Sequence, residues 1–267
     1  RKFNIYKKLY KIFNLKKMYL YVYENIFKFL CYKNIKYDLT LISGLLAEKI
    51  YPETKSIKKK IFTHSFDYES VFYGKKNLIK KETKNSIAFI DENLILHPDY
   101  KIFNIDLAYL KRDYYLKLRN TLLEFEKTYK AKVTICAHPS SEIIYFKKYL
   151  GGFKVVSGKT EQIVKKSKLV IIHQSTAISF PVIFNKPIVF LNYKGISHSF
   201  LYENISNLAK FFKKKYYLID EKNKIFHHQD FKVDKKVYKK YLNNYIVHPK
   251  ANKKSMWLEL IKEIKKQ

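Results

Sequence analysis

The chain has 267 residues, 47% of them hydrophobic and 17% aromatic, enough for one large domain or two modest ones with a core that needs no staples. That composition excludes a disordered chain. The net charge is +31, yet only Arg1, Arg112 and Arg119 are arginines, so a nucleic-acid reader built on the planar fork of arginine is not expected.

The lysines are scattered in short runs such as Lys58-Lys59-Lys60, Lys165-Lys166 and Lys213-Lys214-Lys215. Lys, Asn, Ile, Tyr and Phe are what AT-rich codons supply, which accounts for much of the charge. The remaining expectation is a basic surface suited to an anionic substrate or to the anionic inner leaflet of a membrane.

In chain order, Met18–Leu30 is apolar and aromatic but short, and Glu24 and Lys28 interrupt it. It cannot span a bilayer, so an amphipathic helix is expected, buried on its own domain or lying on a membrane surface. Cys31 and Cys136 lack metal-like spacing and read as reduced core residues of a cytoplasmic protein. Short strands are expected at Asp38–Ser43 and Lys60–Thr63, and the lysine-rich stretch Lys75–Lys84 marks a domain boundary. Three parts result: residues 1–84, an α/β domain over 85–250, and a terminal helix over 251–267.

The central part alternates strand and helix. Ser86–Asp91 (SIAFID) is a strand, and a long helix follows across Leu107–Tyr129, with Leu110, Tyr114, Leu118, Leu122 and Phe125 on one face. Strands at Lys132–Ala137, Phe153–Val156, Leu169–His173 and Pro187–Leu191 are separated by helices near Ser141–Tyr149, Thr160–Lys166 and Thr176–Phe184. Further helices are expected at Val237–Tyr245 and Ser255–Ile264, the latter with Trp257 as a packing anchor. Strands of four to six nearly all-apolar residues between helices predict βαβ units in a parallel sheet covered on both faces.

In such a sheet, ligands bind beyond the carboxyl ends of the strands. Four ends carry suggestive residues: Asp91-Glu92-Asn93, His138-Pro139-Ser140-Ser141, Ser157-Gly158-Lys159-Thr160-Glu161 and His173-Gln174-Ser175-Thr176. Ser175 and Thr176 stand where a strand meets a helix, so free backbone N–H groups and the helix dipole favour a phosphate there. Ser140 and Ser141 repeat that arrangement after His138, whose imidazole is suited to donate to a phosphate oxygen, and Pro139 sets the chain direction. Glu161 is suited to accept hydrogen bonds from ribose hydroxyls. Plainer readings stand beside these: Ser175 or Thr176 as a helix cap, His138 as a turn histidine, Glu161 as a dipole partner, His173 as a sheet-edge residue. The sequence contains no Walker lysine loop, GxGxxG, HExxH or paired-cysteine motif, which argues against ordinary NTPases, dehydrogenases and zinc sites.

The order His138-Pro139, Glu161, Ser175-Thr176 resembles GT-B glycosyltransferases of bacterial surface polysaccharides, and is closest in pattern to the CMP-sialic-acid-type transferases with their HP and Ser-Ser or Ser-Thr motifs. The run HQSTAISFPVIFNKPIVFL also looks like teichoic-acid-type glycerophosphotransferases. The resemblance covers Ser86–Leu191. It implies a nucleotide-sugar donor, with a CMP-linked nonulosonic acid among the candidates, whose phosphate is contacted by His138, which also assists its departure, and held by Ser175 and Thr176, with Pro139 and Ser140 in the same donor site and Glu161 at the nucleoside. It also implies inverting transfer without a metal or other cofactor, to an anionic glycan or lipid-linked acceptor, by a cytoplasmic enzyme with peripheral membrane contact. Relatives take their general base from an acidic pair followed by Gly, which residues 1–84 lack. Asp67 is the nearest candidate, His64 the alternate, and Asp91-Glu92 a further option. Eighty-four residues are too few for a second complete Rossmann-like domain, and the first residue is Arg1 rather than Met, so an incomplete or reduced acceptor domain is expected. Two other readings stay open: a CDP-glycerol-type polyol-phosphate transferase, and a non-catalytic basic module that binds nucleic acid or anionic lipid.

Overall fold

Short runs of β-branched and aromatic residues, which suit a pleated and buried surface, set the strands. The computed structural model describes residues 38–50, 57–74, 85–97, 100, 102, 105–222 and 224–266. The expected helix at Met18–Leu30, Cys31 and the boundary stretch Lys75–Lys84 lie outside them. A first pair, β1 (Leu39–Ser43) and β2 (Lys59–Thr63), forms a two-stranded parallel sheet. The larger sheet holds β3 (Ser86–Ile90), β4 (Lys132–Ala137), β5 (Lys154–Ser157), β6 (Leu169–Ile172), β7 (Ile188–Asn192) and β8 (Tyr216–Leu218). Its spatial order is β5-β4-β3-β6-β7-β8, and every neighbouring pair is parallel.

Alternate residues of these strands face two separate cores. Ile87, Phe89, Ile171 and Val189 point to one, Ala88, Ile90, Val170 and Phe190 to the other. A sheet sealed on both faces needs all-apolar strands, which is why β6 and β7 are buried at every position. The first core is closed by α3 (Lys111–Tyr129), whose Tyr114, Leu118, Leu122 and Phe125 form the buried stripe. Leu118 is wholly buried, so a Leu118→Ala cavity costs about 2–5 kcal/mol. The second core is closed by Val164 of α5 (Thr160–Lys166), Val182 of α6 (Ser179–Ile183) and Tyr238 of α8 (Lys235–Tyr241).

Expected elements shift at their ends, where local bonds compete with the helix. The long helix opens with a 3-10 turn at Ala108–Leu110. The helix expected from Ser141 is α4 (Ile143–Tyr149), because the turn at His138–Ser141 takes its first residues. A 3-10 turn, Thr176–Ile178, precedes α6. After α8, capped by Asp234, the chain continues as a π turn, Leu242–Ile246. Three further elements were not expected: α1 (Ala47–Ile50), α2 (Phe66–Tyr73) and α7 (Phe200–Phe211). Strand β8 is a fourth.

The chain returns to the small sheet after α8. The backbone N–H groups of Leu45 and Leu46 donate to the carbonyls of Asn243 (2.9 Å) and Asn244 (3.1 Å). An antiparallel bridge joins His64 to Val247, and His248 N–H donates to Thr63 (2.9 Å). The last helix, α9 (Met256–Ile264), packs on β2. Helix α2 meanwhile packs on α6, and so ties the small sheet to the large one. No helix among the described residues is long and apolar enough to cross a membrane.

Candidate functional site at the switch point

Outward from β3, the chain winds through β4 and β5 on one side and through β6, β7 and β8 on the other. The strand order therefore reverses between β3 and β6, where the loops leaving the two strands part and open a crevice. The residues that follow these strands build it.

Asp91, just past β3, is a buried carboxylate with a full set of donors. Its Oδ1 accepts from Asn93 N–H (3.1 Å), and its Oδ2 accepts from His138 N–H (3.1 Å) and the Ser141 hydroxyl (2.6 Å). Burial pushes its pKa up, and those three bonds oppose the rise. Asp91 thus stitches the end of β3 to the turn after β4. In that turn Ser141 N–H donates to the His138 carbonyl (2.9 Å), with Pro139 in the second position, which its ring favours. Asn93 takes the left-handed backbone conformation (φ 54°), which asparagine tolerates. Its amide donates to the Leu96 carbonyl (3.1 Å) and to Ser140 Oγ (3.3 Å).

His138 is oriented by its own turn. Its Nδ1 accepts from Ser140 N–H (3.1 Å) and lies 2.7 Å from Ser140 Oγ, an arrangement that assigns the ring proton to Nε2. The ring also lies 5.1 Å from that of His97.

Glu92 crosses the switch point. Its Oε2 accepts from Gln174 N–H (2.9 Å) after β6, while Oε1 is buried with no hydrogen-bond partner among the described residues. Burial, with the charge of Asp91 beside it, lifts its pKa well above the carboxylate range against the single Gln174 bond. A raised carboxyl in a cleft is a common mark of a functional acid.

Beyond β6, His173 is wholly buried. Its Nδ1–H donates to the Leu191 carbonyl (2.9 Å), and its Nε2 accepts from the Tyr114 hydroxyl (2.9 Å). Burial lowers its pKa to about 4, so it is a neutral strut between β6, β7 and α3. Ser175 is extended (φ −170°), and its Oγ accepts from Ala177 N–H (3.2 Å) as the cap of the 3-10 turn. Thr176 is exposed.

Glu92, His138, Ser175 and Thr176 share a cleft of about 470 Å³, with Tyr100 and Tyr241 among its aromatic walls. That is the size of a small-molecule site. Ser140 stands at its edge through His138, and Pro139 is exposed beside it.

Three other residues singled out in the sequence sit elsewhere. Glu161, in the first turn of α5, accepts from Ser70 Oγ (3.1 Å) of α2. Asp67 of α2 accepts from the Ser179 hydroxyl at the start of α6, and burial raises its pKa against that bond. His64 is buried with Nε2 2.6 Å from Glu69 Oε2. Glu69 also accepts from Ser255 Oγ (2.5 Å) and Met256 N–H (2.9 Å), so His64 belongs to the knot that caps α9. Burial alone would raise the Glu69 pKa, but the bonds from Ser255, His64 and Met256 outweigh it and the pKa falls. Among the described residues no group of three or more His, Cys, Asp or Glu is arranged to hold a metal ion.

Sequence reasoning placed Glu92 at one of the four suggestive strand ends and offered it as a further option for the base, but missed His97, Tyr100 and Tyr241. The signal for Glu92 was present: an ionisable side chain directly after an apolar strand, at the strand that became the switch.

Fold and crevice together define a doubly wound α/β protein with a ligand-sized cleft at its switch point. No family model matches the chain, and no curated protein matches it. Among solved structures it is similar to S. aureus MnaA in a co-structure with UDP, at 13% identity and a TM-score of 0.45 over 86% of this chain and 59% of that one. It is also similar to a putative UDP-N-acetylglucosamine 2-epimerase from Listeria monocytogenes, at 13% identity and a TM-score of 0.28 over 56% and 35% of the two chains. The chain thus spans less than two thirds of either structure's length. Similarity at that distance says nothing about chemistry, which has to be read from the cleft.

Proposed function

We propose that the chain is a nucleotide-sugar-processing enzyme of GT-B-like build. In this reading it transfers a sugar, with a CMP-linked nonulosonic acid among the candidates, to a surface polysaccharide or lipooligosaccharide acceptor. One observation carries the reading: His138, Ser175, Thr176 and the buried carboxyl of Glu92 meet in one cleft at the switch point. The hydroxyls and N–H groups of Ser175 and Thr176 suit a phosphate. His138, with its proton on Nε2, suits a hydrogen bond to the phosphate oxygen whose charge grows as the bond to the anomeric carbon breaks. The acceptor hydroxyl attacks from the opposite face and gives its proton to a base. Asp67 is the first candidate for that base and His64 the alternate, and each has a partner to leave, Ser179 for Asp67 and Glu69 for His64. Glu161 is assigned to the nucleoside, which requires Ser70 to yield its bond.

The test is a thermal-shift titration with CMP, CDP, UDP and GDP. One nucleotide should stabilise the chain by about 2.7 kcal/mol at a hundredfold excess over its Kd. Ser175→Ala/Thr176→Ala should abolish that shift, and His138→Ala should keep binding while transfer falls about 10²–10⁴-fold. No shift with any nucleotide, or full transfer by His138→Ala, overturns the proposal.

A further inference from the structure

Helix α9 has two unlike sides. Met256, Leu260 and Glu263 face the protein: Met256 is buried, Leu260 is half-buried, and Glu263 pairs with Lys59 of β2. Trp257, Leu258, Ile261 and Ile264 fall on the other side and are between 46% and 63% exposed. Phe66, at the start of α2, is 66% exposed, with its ring 5.7 Å from that of Trp257. Single exposed apolar side chains are ordinary, but five adjoining large ones mark an interaction surface.

The charge around this face names its partner. Lys253 and Lys254 precede the helix, Lys262, Lys265 and Lys266 lie in and after its last turns, and all five are exposed. The helix's two acids are both engaged within the chain, Glu259 by the Asn252 amide and Glu263 by Lys59 and Lys266. An apolar strip with an aromatic ring, bordered by cations, matches an anionic bilayer, whose head groups attract the lysines while its outer acyl region takes the apolar side chains.

We propose that α9 docks flat on an anionic lipid surface through Trp257, Leu258, Ile261 and Ile264, with Phe66 beside them and the flanking lysines on the lipid phosphates. The proposal holds whether or not the cleft turns over a nucleotide sugar.

Trp257 is the only tryptophan of the chain, so its fluorescence reads this face directly. The full chain is titrated with vesicles of phosphatidylcholine alone and with one-third phosphatidylglycerol. The anionic vesicles should shift Trp257 emission to the blue, lipids brominated in the outer acyl chain should quench it, and high salt should weaken both effects. Leu258→Ser/Ile261→Ser/Ile264→Ser changes only exposed positions. With its melting curve unchanged, it should lower partitioning at least tenfold, and Lys262→Glu/Lys265→Glu should remove the preference for anionic lipid. Unmoved emission, or undiminished binding by the triple variant, overturns the proposal. A blue shift without lipid that grows with protein concentration assigns the face to a second copy instead. Trp257 closed to acrylamide in the dilute, lipid-free chain means that the chain's own residues cover it.

Discussion

Glu92 occupies a position that folding alone would not choose. One carboxylate oxygen accepts from a backbone N–H and the other has no hydrogen-bond partner among the described residues, so burial penalises the charged form and raises the pKa. The consequence for stability follows from linkage. Below the ordinary glutamate pKa both folded and unfolded chains carry the proton, and the full stability is present. As pH rises above that value the unfolded chain ionises first, so stability is lost until the higher folded pKa is passed. Glu92→Gln should therefore raise Tm near pH 7.5, by about 2–4 °C for each kcal/mol recovered, and the gain should shrink towards pH 4. If it lowers nucleotide affinity while raising Tm, the unpaired carboxyl serves the cleft at the expense of the fold. Equal gains at both pH values would mean that Glu92 is ionised when folded. His138 and Ser175 teach a complementary lesson. Their plain readings and their functional ones both apply, because turn and cap bonds engage one set of atoms while the same residues line the cleft.

At the scale of elements, the small sheet is held by the returning chain. Gly44 has φ 88°, and a Cβ there would run into the Asn244 carbonyl, so both the backbone conformation and the space require glycine. Gly44→Ala should cost about 2–4 kcal/mol in urea unfolding. Hydrogen exchange should place the loss in residues 39–46 and 242–248, with the six-stranded sheet protected as before. Exchange raised equally throughout would show that the two sheets open as one unit. The central strands and α3 were legible because burial on two faces, or on one stripe, writes its period into the residues. Helix α7 carries a legible stripe too, Leu201, Ile205 and Ala209. Strand β8 has three half-buried residues and could not be told from a loop. Helix α2 buries only Glu69, a residue that in sequence looks like surface.

Across the whole molecule, the charge of +31 works against compactness. Ion pairs such as Lys117–Asp113 (2.7 Å) and Lys213–Asp234 (3.0 Å) lie at the surface, where solvent screens them. Raising salt from about 20 to 200 mM screens both, and the self-repulsion of so many lysines is the larger sum. Tm should therefore rise with salt; a fall would mean that specific pairs outweigh the net charge.

The sequence by itself determined the α/β class, the parallel sheet, and which loops leave the carboxyl ends of its strands, because burial on two faces dictates residue type position by position. It also singled out His138, Ser175 and Thr176, since polar residues directly after apolar strands stand out locally. Only the tertiary structure decided which loops share a cleft. The reversal of strand order between β3 and β6 depends on where the crossing helices pack, and no local pattern encodes it. The same holds for Glu92 opposite Gln174, for Asp67 on Ser179, and for His64 with Glu69 under α9. Those partners lie 82, 112 and 5 residues apart, and in each case burial by other elements turned an ordinary polar residue into a site or a fastening.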